Sequence, residues 1–273
     1  MPPIPTPQPE VGGSARLTSL RTGLRRVPEV TASFWIIKVL TTAMGESTSD
    51  YLVHRFDPVV AVGFGAIGLA VALALQFSAR RYVAWTYWLA VLMVTVFGTM
   101  AADVLHINFG VPYLASTLFF AVILAVVFGI WRASEKTLSI HSISTTRREI
   151  FYWCTVVSTF ALGTAAGDMT ATTLHLGYFF SGVLLAGLIT VPALAYRLFG
   201  LNEILAFWSA YILTRPLGAS FADWTGKPHG LSGLALGDGP VSLVLGILIA
   251  GFVVSLTIRA RDGRDPDTAP RPA

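Results

Sequence analysis

Charge is scarce in this chain and cysteine is almost missing. Asp, Glu, Lys and Arg make up 12% of the residues, against about a quarter in an ordinary soluble domain, while 54% are hydrophobic. That balance excludes a water-soluble globule and implies a polytopic membrane protein whose first partner is the lipid bilayer. The single cysteine, Cys154, excludes an internal disulfide and a thiolate metal cluster, and beside Trp153 it reads as an apolar filler. Nor is there a GxxxxGKS/T run for a nucleotide, an HExxH pair for zinc, or a GxSxG nucleophile turn. An ATP-driven pump is thereby disfavoured, and the chain is expected not to be an enzyme. The formal charge of +4 does not point to nucleic acid, because the basic residues fall almost wholly in short connections between apolar runs.

A membrane-crossing helix needs about 20 mostly apolar residues. Eight stretches qualify, at about 30–53, 58–77, 84–106, 112–131, 150–175, 177–196, 203–223 and 240–258. They define a membrane domain over 30–258 with a polar, basic cytoplasmic loop at 132–149. Residues 1–29 and 259–273 are expected to be disordered cytoplasmic tails, the first too poor in apolar residues for a signal peptide. With the amino terminus inside, fifteen Lys and Arg lie on the cytoplasmic side and two, Arg55 and Lys227, outside. This positive-inside bias puts both termini in the cytoplasm of a bacterial inner membrane.

One frame recurs four times without a gap: an aromatic pair ending in Trp, then Gly ten residues on, then Asp five further. The copies are Trp35/Gly45/Asp50, Trp88/Gly98/Asp103, Trp153/Gly163/Asp168 and Trp208/Gly218/Asp223. Each opens a repeat of one motif helix and one plainer helix, at about 30–80, 84–132, 150–197 and 203–258. Two spans per repeat make the repeats parallel, so pseudo-fourfold or two-plus-two symmetry is expected with the motif helices innermost.

At about 1.5 Å per residue, Gly lies about 15 Å deeper than Trp and Asp about 22 Å deeper. Trp at that depth suits an interface anchor, and the glycines suit close helix packing. Asp50, Asp103, Asp168 and Asp223 then turn inward as an acidic ring, joined by Glu46 in the first copy. Carboxylates inside a bilayer are costly enough to suggest a bound cation or shared protons; the competing role is to bond neighbouring helices. Thr42, Thr95, Thr159 and Thr214 offer hydroxyls near the glycines, or bond their own helices. Lys38 and Arg215 are the two bases inside, with Arg215 expected to pair with Glu46 or one Asp. Five acids against two bases favour a cation. His54, His106, His175 and His229 follow the four Asp and are candidate metal ligands or interfacial polar residues.

Four tandem repeats, each with a Trp and a GxxxxD element, resemble the bacterial membrane-anchored proteins built from a two-helix repeat of unknown function. The resemblance covers about residues 31–258 and implies the architecture alone. The residues themselves point to secondary transport of a small cation, a divalent metal ion as substrate or a proton-coupled ion, with no resident cofactor. A membrane scaffold or sensor with structural Asp residues, and a lipid-modifying membrane enzyme, are the alternatives. Self-association into a homo-oligomer is compatible with each.

Overall fold

The computed structural model describes residues 25–104, 106 and 109–261. These residues are all-helical, without a strand, and form eight long helices: α1 (Ala32–Arg55), α2 (Pro58–Ser78), α3 (Ala84–Asp103), α4 (Tyr113–Glu135), α5 (Thr146–Asp168), α6 (Gly177–Phe199), α7 (Glu203–Gly226) and α8 (Asp238–Arg261). Several starts are set by a side chain that accepts from otherwise unpaired backbone N–H groups. Thr31 caps α1, Asp57 with Pro58 behind it opens α2, Thr145 caps α5 and Asn202 caps α7. A π-helical turn at Met169–Thr173 ends α5, with the Leu174 N–H donating to the Met169 carbonyl at 3.0 Å.

Six of the eight helices are long and apolar enough to cross a membrane, all but α1 and α7. Against the eight spans expected from the sequence, these two fall short because they carry Lys38, Glu46 and Asp50, and Arg215 and Asp223. All five side chains are buried inside the bundle. The even-numbered helices are the opposite case, with outward stripes at helical spacing: Val60, Phe64, Ile67 and Val71 on α2, Leu118, Val122 and Val126 on α4, Phe180, Leu184 and Leu188 on α6. In α5, 67% of the apolar stretch is buried, whereas in α8 only 11% is. Odd helices are therefore interior and even helices peripheral.

The four motif helices pack in sequence, α1 on α3, α3 on α5, α5 on α7, and α7 back on α1. Each peripheral helix lies mainly on the motif helix of the following copy: α2 on α3, α4 on α5, α6 on α7, and α8 on α1. The motif explains this handing-on. A Cβ at Gly45 would overlap Thr95, one at Gly98 would stand 3.1 Å from Cβ of Phe160, one at Gly163 would overlap Arg215, and one at Gly218 would overlap Thr42. In every case the glycine admits the residue three places before the next copy's glycine, which is the close approach that small residues permit.

The aromatic pairs repeat the pattern. The ring before each Trp meets the Trp of the next copy: Phe34 with Trp88 at 5.7 Å, Tyr87 with Trp153 at 5.7 Å, Tyr152 with Trp208 at 6.1 Å, Phe207 with Trp35 at 5.7 Å. Trp88, Trp153 and Trp208 are thus buried core residues instead of interface anchors, and Trp35 is half-buried. Each indole is covered by a ring from its neighbour, and of the four only Trp35 keeps part of its surface exposed.

The expected tails and loop are shorter than their sequence limits. Residues 25–29 are tied in, with the Arg26 N–H donating to the Ile143 carbonyl at 3.1 Å and the Tyr82 N–H to the Arg25 carbonyl at 2.7 Å. Arg26 also pairs with the fully buried Glu149 at 2.7 Å, and Gln76 Nε2 donates to the same carboxylate at 2.9 Å. Burying Glu149 is tolerable only with such partners, which is why this segment cannot float. The 132–149 loop folds beneath the bundle, burying Ile140 and Ile143, and its Leu138 carbonyl accepts from Trp208 Nε1 at 3.0 Å. Residues 1–24 and 262–273 of the expected tails lie outside the described residues.

A methyl group at Gly218 would meet the Ala43 backbone nitrogen at 2.9 Å, while one at Gly129 would meet nothing within 4 Å. Gly218→Ala is expected to destabilise the protein by about 1–3 kcal/mol through overpacking. Gly129→Ala should leave the melting temperature in detergent unchanged or slightly raised, so equal losses in both would contradict this packing.

Candidate functional site

The interior positions of the four motif helices build a polar column inside the apolar bundle. At the aromatic end the hydroxyls of Tyr87 and Tyr152 share a short hydrogen bond, with the Tyr211 hydroxyl beside them. Next along the column is Lys38, fully buried, with its Nζ 4.2 Å from the centroids of both the Phe160 and Tyr211 rings and no hydrogen-bond acceptor. The amine rests on two aromatic faces in place of a carboxylate.

Arg215 comes next. Its Nη2 donates to Glu46 Oε2, to Thr99 Oγ1 and, at 2.8 Å, to Thr164 Oγ1, while Nη1 donates to the Thr42 carbonyl at 3.4 Å. Glu46, Thr99 and Thr164 occupy the same place in their copies, one residue after the motif glycine, so a single guanidinium from α7 is met by α1, α3 and α5 together. Room for it comes from α5, where Gly163 faces the Arg215 side chain and Gly167 lies against Pro216. Arg is suited to this position because it stays charged and offers a planar set of donors.

Beyond Arg215 lie the carboxylates. Ligand oxygens of Glu46, Asp50 and Asp223 all stand within 4.8 Å of one another, and all three residues are buried. Asp103 and Asp168, half-buried, hold the equivalent places on α3 and α5, at the same level of the ring as Asp50 and Asp223. Lys227, just past the end of α7, reaches back with Nζ 2.5 Å from Asp50 Oδ2 and 3.9 Å from Asp223 Oδ1. Burial alone would lower its pKa, but Asp50 and Asp223 overcome that and hold the ammonium above its ordinary range.

The four sequence-predicted Asp and Glu46 therefore gather at one end of the column. The predicted threonines do not aim hydroxyl protons into it. Thr95, Thr159 and Thr214 donate to their own helix carbonyls, and Thr42 to Val39 and across to the Thr214 carbonyl. The histidines also stand apart, and the three-ligand group among the described residues holds carboxylates only. Ring nitrogens of His54, His106 and His229 bond the nearby backbone carbonyls of Asp50, Val111 and Gly233. His106 is stacked on Tyr113 at 3.6 Å, and His175 is exposed at the π-helical turn with a φ of 55°. Their varying offsets from the Asp foreshadow this, because one ligand frame would repeat one offset. Thr99, Thr164 and Lys227 went unselected in the sequence. The first two share Glu46's register, and Lys227 lies four residues after Asp223, a helical neighbour position.

Fold, outward apolar stripes and an interior column of ionisable side chains define the class: an integral membrane helical protein made of internal repeats. The family profile described as Repeat of Unknown Function (DUF347) matches residues 33–82, 86–137, 151–200 and 206–262, and the chain belongs to that family. No curated protein and no solved structure shows a significant match to it.

Arg215→Met leaves Glu46 buried without its cation, and is expected to cost about 3–5 kcal/mol of stability. The double variant Glu46→Met/Arg215→Met should recover most of that loss, since both charges are gone. Unfolding of purified protein in detergent measures the coupling, and additive losses would contradict a direct pair.

Proposed function

We propose that the protein is a secondary transporter for a hard divalent cation. Glu46, Asp50 and Asp223 are its inner ligands, and Asp103 and Asp168 lie at the entrance. The observation that carries this reading is the convergence of the three buried carboxylates within 4.8 Å of one another. An all-oxygen set without His or Cys suits Mn²⁺, Mg²⁺ or Ca²⁺ better than Zn²⁺ or Cu²⁺. Lys227 sits against two of the ligands, so an entering cation must displace its ammonium.

In this reading all eight helices cross the bacterial cytoplasmic membrane, α1 and α7 sheltered by the others, and both termini face the cytoplasm as the arginine distribution requires. The four parallel repeats surround an axis along the membrane normal. The cyclic glycine and aromatic contacts support that arrangement. A scaffold role is the second reading, favoured by the ion pairs Glu46–Arg215 and Asp50–Lys227, which also lock helices together.

Proteoliposome uptake of Mn²⁺ separates the two. Wild type is expected to admit Mn²⁺, and Asp223→Asn in folded protein to slow uptake by at least about tenfold, the effect of losing roughly 1.4 kcal/mol at the site. Lys227→Met is expected to tighten Mn²⁺ binding by about three- to tenfold, because a competing ion pair is removed. Absence of flux for every hard cation, with Asp variants that only lose stability, would leave the scaffold.

A further inference from the structure

Lys38 is a base in the column that the cation site does not use. It is fully buried, its Nζ has no hydrogen-bond acceptor, and the equivalent places in the other copies hold Val91, Val156 and Tyr211. A helix-packing role needs no ammonium there, since valine fills two of the four positions. The Phe160 ring that covers Lys38 at 4.2 Å also lies 5.8 Å from the Arg215 guanidinium, so the amine and the guanidinium flank one ring. Only Arg215 has a carboxylate. Arg does not give up its proton, whereas a buried Lys can.

We infer that Lys38 is the proton-carrying group of the transporter, releasing its proton when a cation occupies the carboxylates and regaining it when the cation leaves. This rests on the transport reading. The charge balance supplies the coupling. With the carboxylates free, Glu46 neutralises Arg215 and the ring faces hold the Lys38 ammonium. Once a divalent cation shares Glu46, the Arg215 charge is left less compensated, and a second positive charge behind the same ring becomes costly in a dry column. By linkage the effect is reciprocal: a charged Lys38 weakens cation binding as much as the cation weakens protonation.

The groups that can titrate or carry charge around Lys38 are Arg215 and Tyr211 on α7, with Glu46 two turns further along its own helix behind Arg215. Beyond Tyr211 stand the hydroxyls of Tyr87 on α3 and Tyr152 on α5. A groove of about 820 Å³ starts among Arg25, His141 and Arg197 and runs inward to Val39 and Thr214. Those two residues are the chain neighbours of Lys38 and Arg215. The groove therefore reaches the level of Lys38, whose own side chain stays fully buried beside it. Because the bound cation and the Lys38 proton exclude one another, a column that opens to one face at a time carries them in opposite directions, with the proton as the counter-ion.

Mn²⁺ movement in proteoliposomes tests this with Lys38→Met, and with Lys38→Gln as a second variant. Either removes an unpaired buried cation, so folding should be retained or improved. Wild type should accumulate Mn²⁺ against its gradient when a pH gradient is imposed. Both variants should lose that accumulation by about tenfold or more while still letting Mn²⁺ run down its own gradient. Accumulation driven by the pH gradient in either folded variant would overturn the inference and leave transport standing. So would loss of downhill movement in both, which would make Lys38 part of translocation itself. A wild-type protein that moves no Mn²⁺ under any gradient would instead defeat the transport reading and the inference with it.

Discussion

One guanidinium holds the interior together. Arg215 reaches from α7 to Glu46 and the Thr42 carbonyl on α1, Thr99 on α3 and Thr164 on α5, so every motif helix supplies a group to the same charge. A permanent cation in a membrane bundle must be matched by a carboxylate, or the bundle does not close. The rest follows from that requirement. Glu46 has to be in the first copy because α1 is where the ring of helices closes on α7. Thr99 and Thr164 have to carry hydroxyls, and Gly163 has to lack a side chain to admit the arginine stem.

The repeats divide into a shared frame and an individual lining. Trp, Gly and the residues that meet them make the same contacts from copy to copy, and this frame sets how close the helices come. The lining differs at each level: Lys38, Val91, Val156 and Tyr211 at one, Thr42, Thr95, Phe160 and Arg215 at the next, Glu46, Thr99, Thr164 and Ala219 beyond. A ring with one repeated packing rule can carry four different side chains at each depth. The result is a directed column, aromatic hydroxyls and Lys38 at one end, carboxylates and Lys227 at the other, instead of four equal rings.

The two ends differ in how firmly they are held. The aromatic end is closed by ring contacts and by the buried Arg26–Glu149–Gln76 network. At the carboxylate end α5 loosens into a π-helical turn after Asp168, and Lys227 reaches in from beyond α7. Irregular helix geometry of this kind gathers where a site needs more room than an α-helix allows. The end with the ligands is thus the end with the looser backbone.

The repeat, the apolar segments, the packing role of the glycines and the inward course of Asp50, Asp103, Asp168, Asp223 and Glu46 could all be read along the chain, because spacing and the cost of charge in lipid are local properties. The same cost led to Arg215 and Glu46 as partners 169 residues apart. What stood beside each residue could not be read in this way. Trp88, Trp153 and Trp208 have the composition of interface anchors until a ring from the preceding copy covers them. The four histidines have the chemistry of ligands until their nitrogens meet nearby carbonyls or solvent. Lys38 has no visible partner in the sequence because its partners are two ring faces, Phe160 and Tyr211, brought together from α5 and α7. The sequence by itself determined that this is a fourfold-repeated membrane protein with charges inside. Only the tertiary structure decided which charges meet, since that depends on each peripheral helix crossing to the next copy, a contact that spacing within one repeat does not encode.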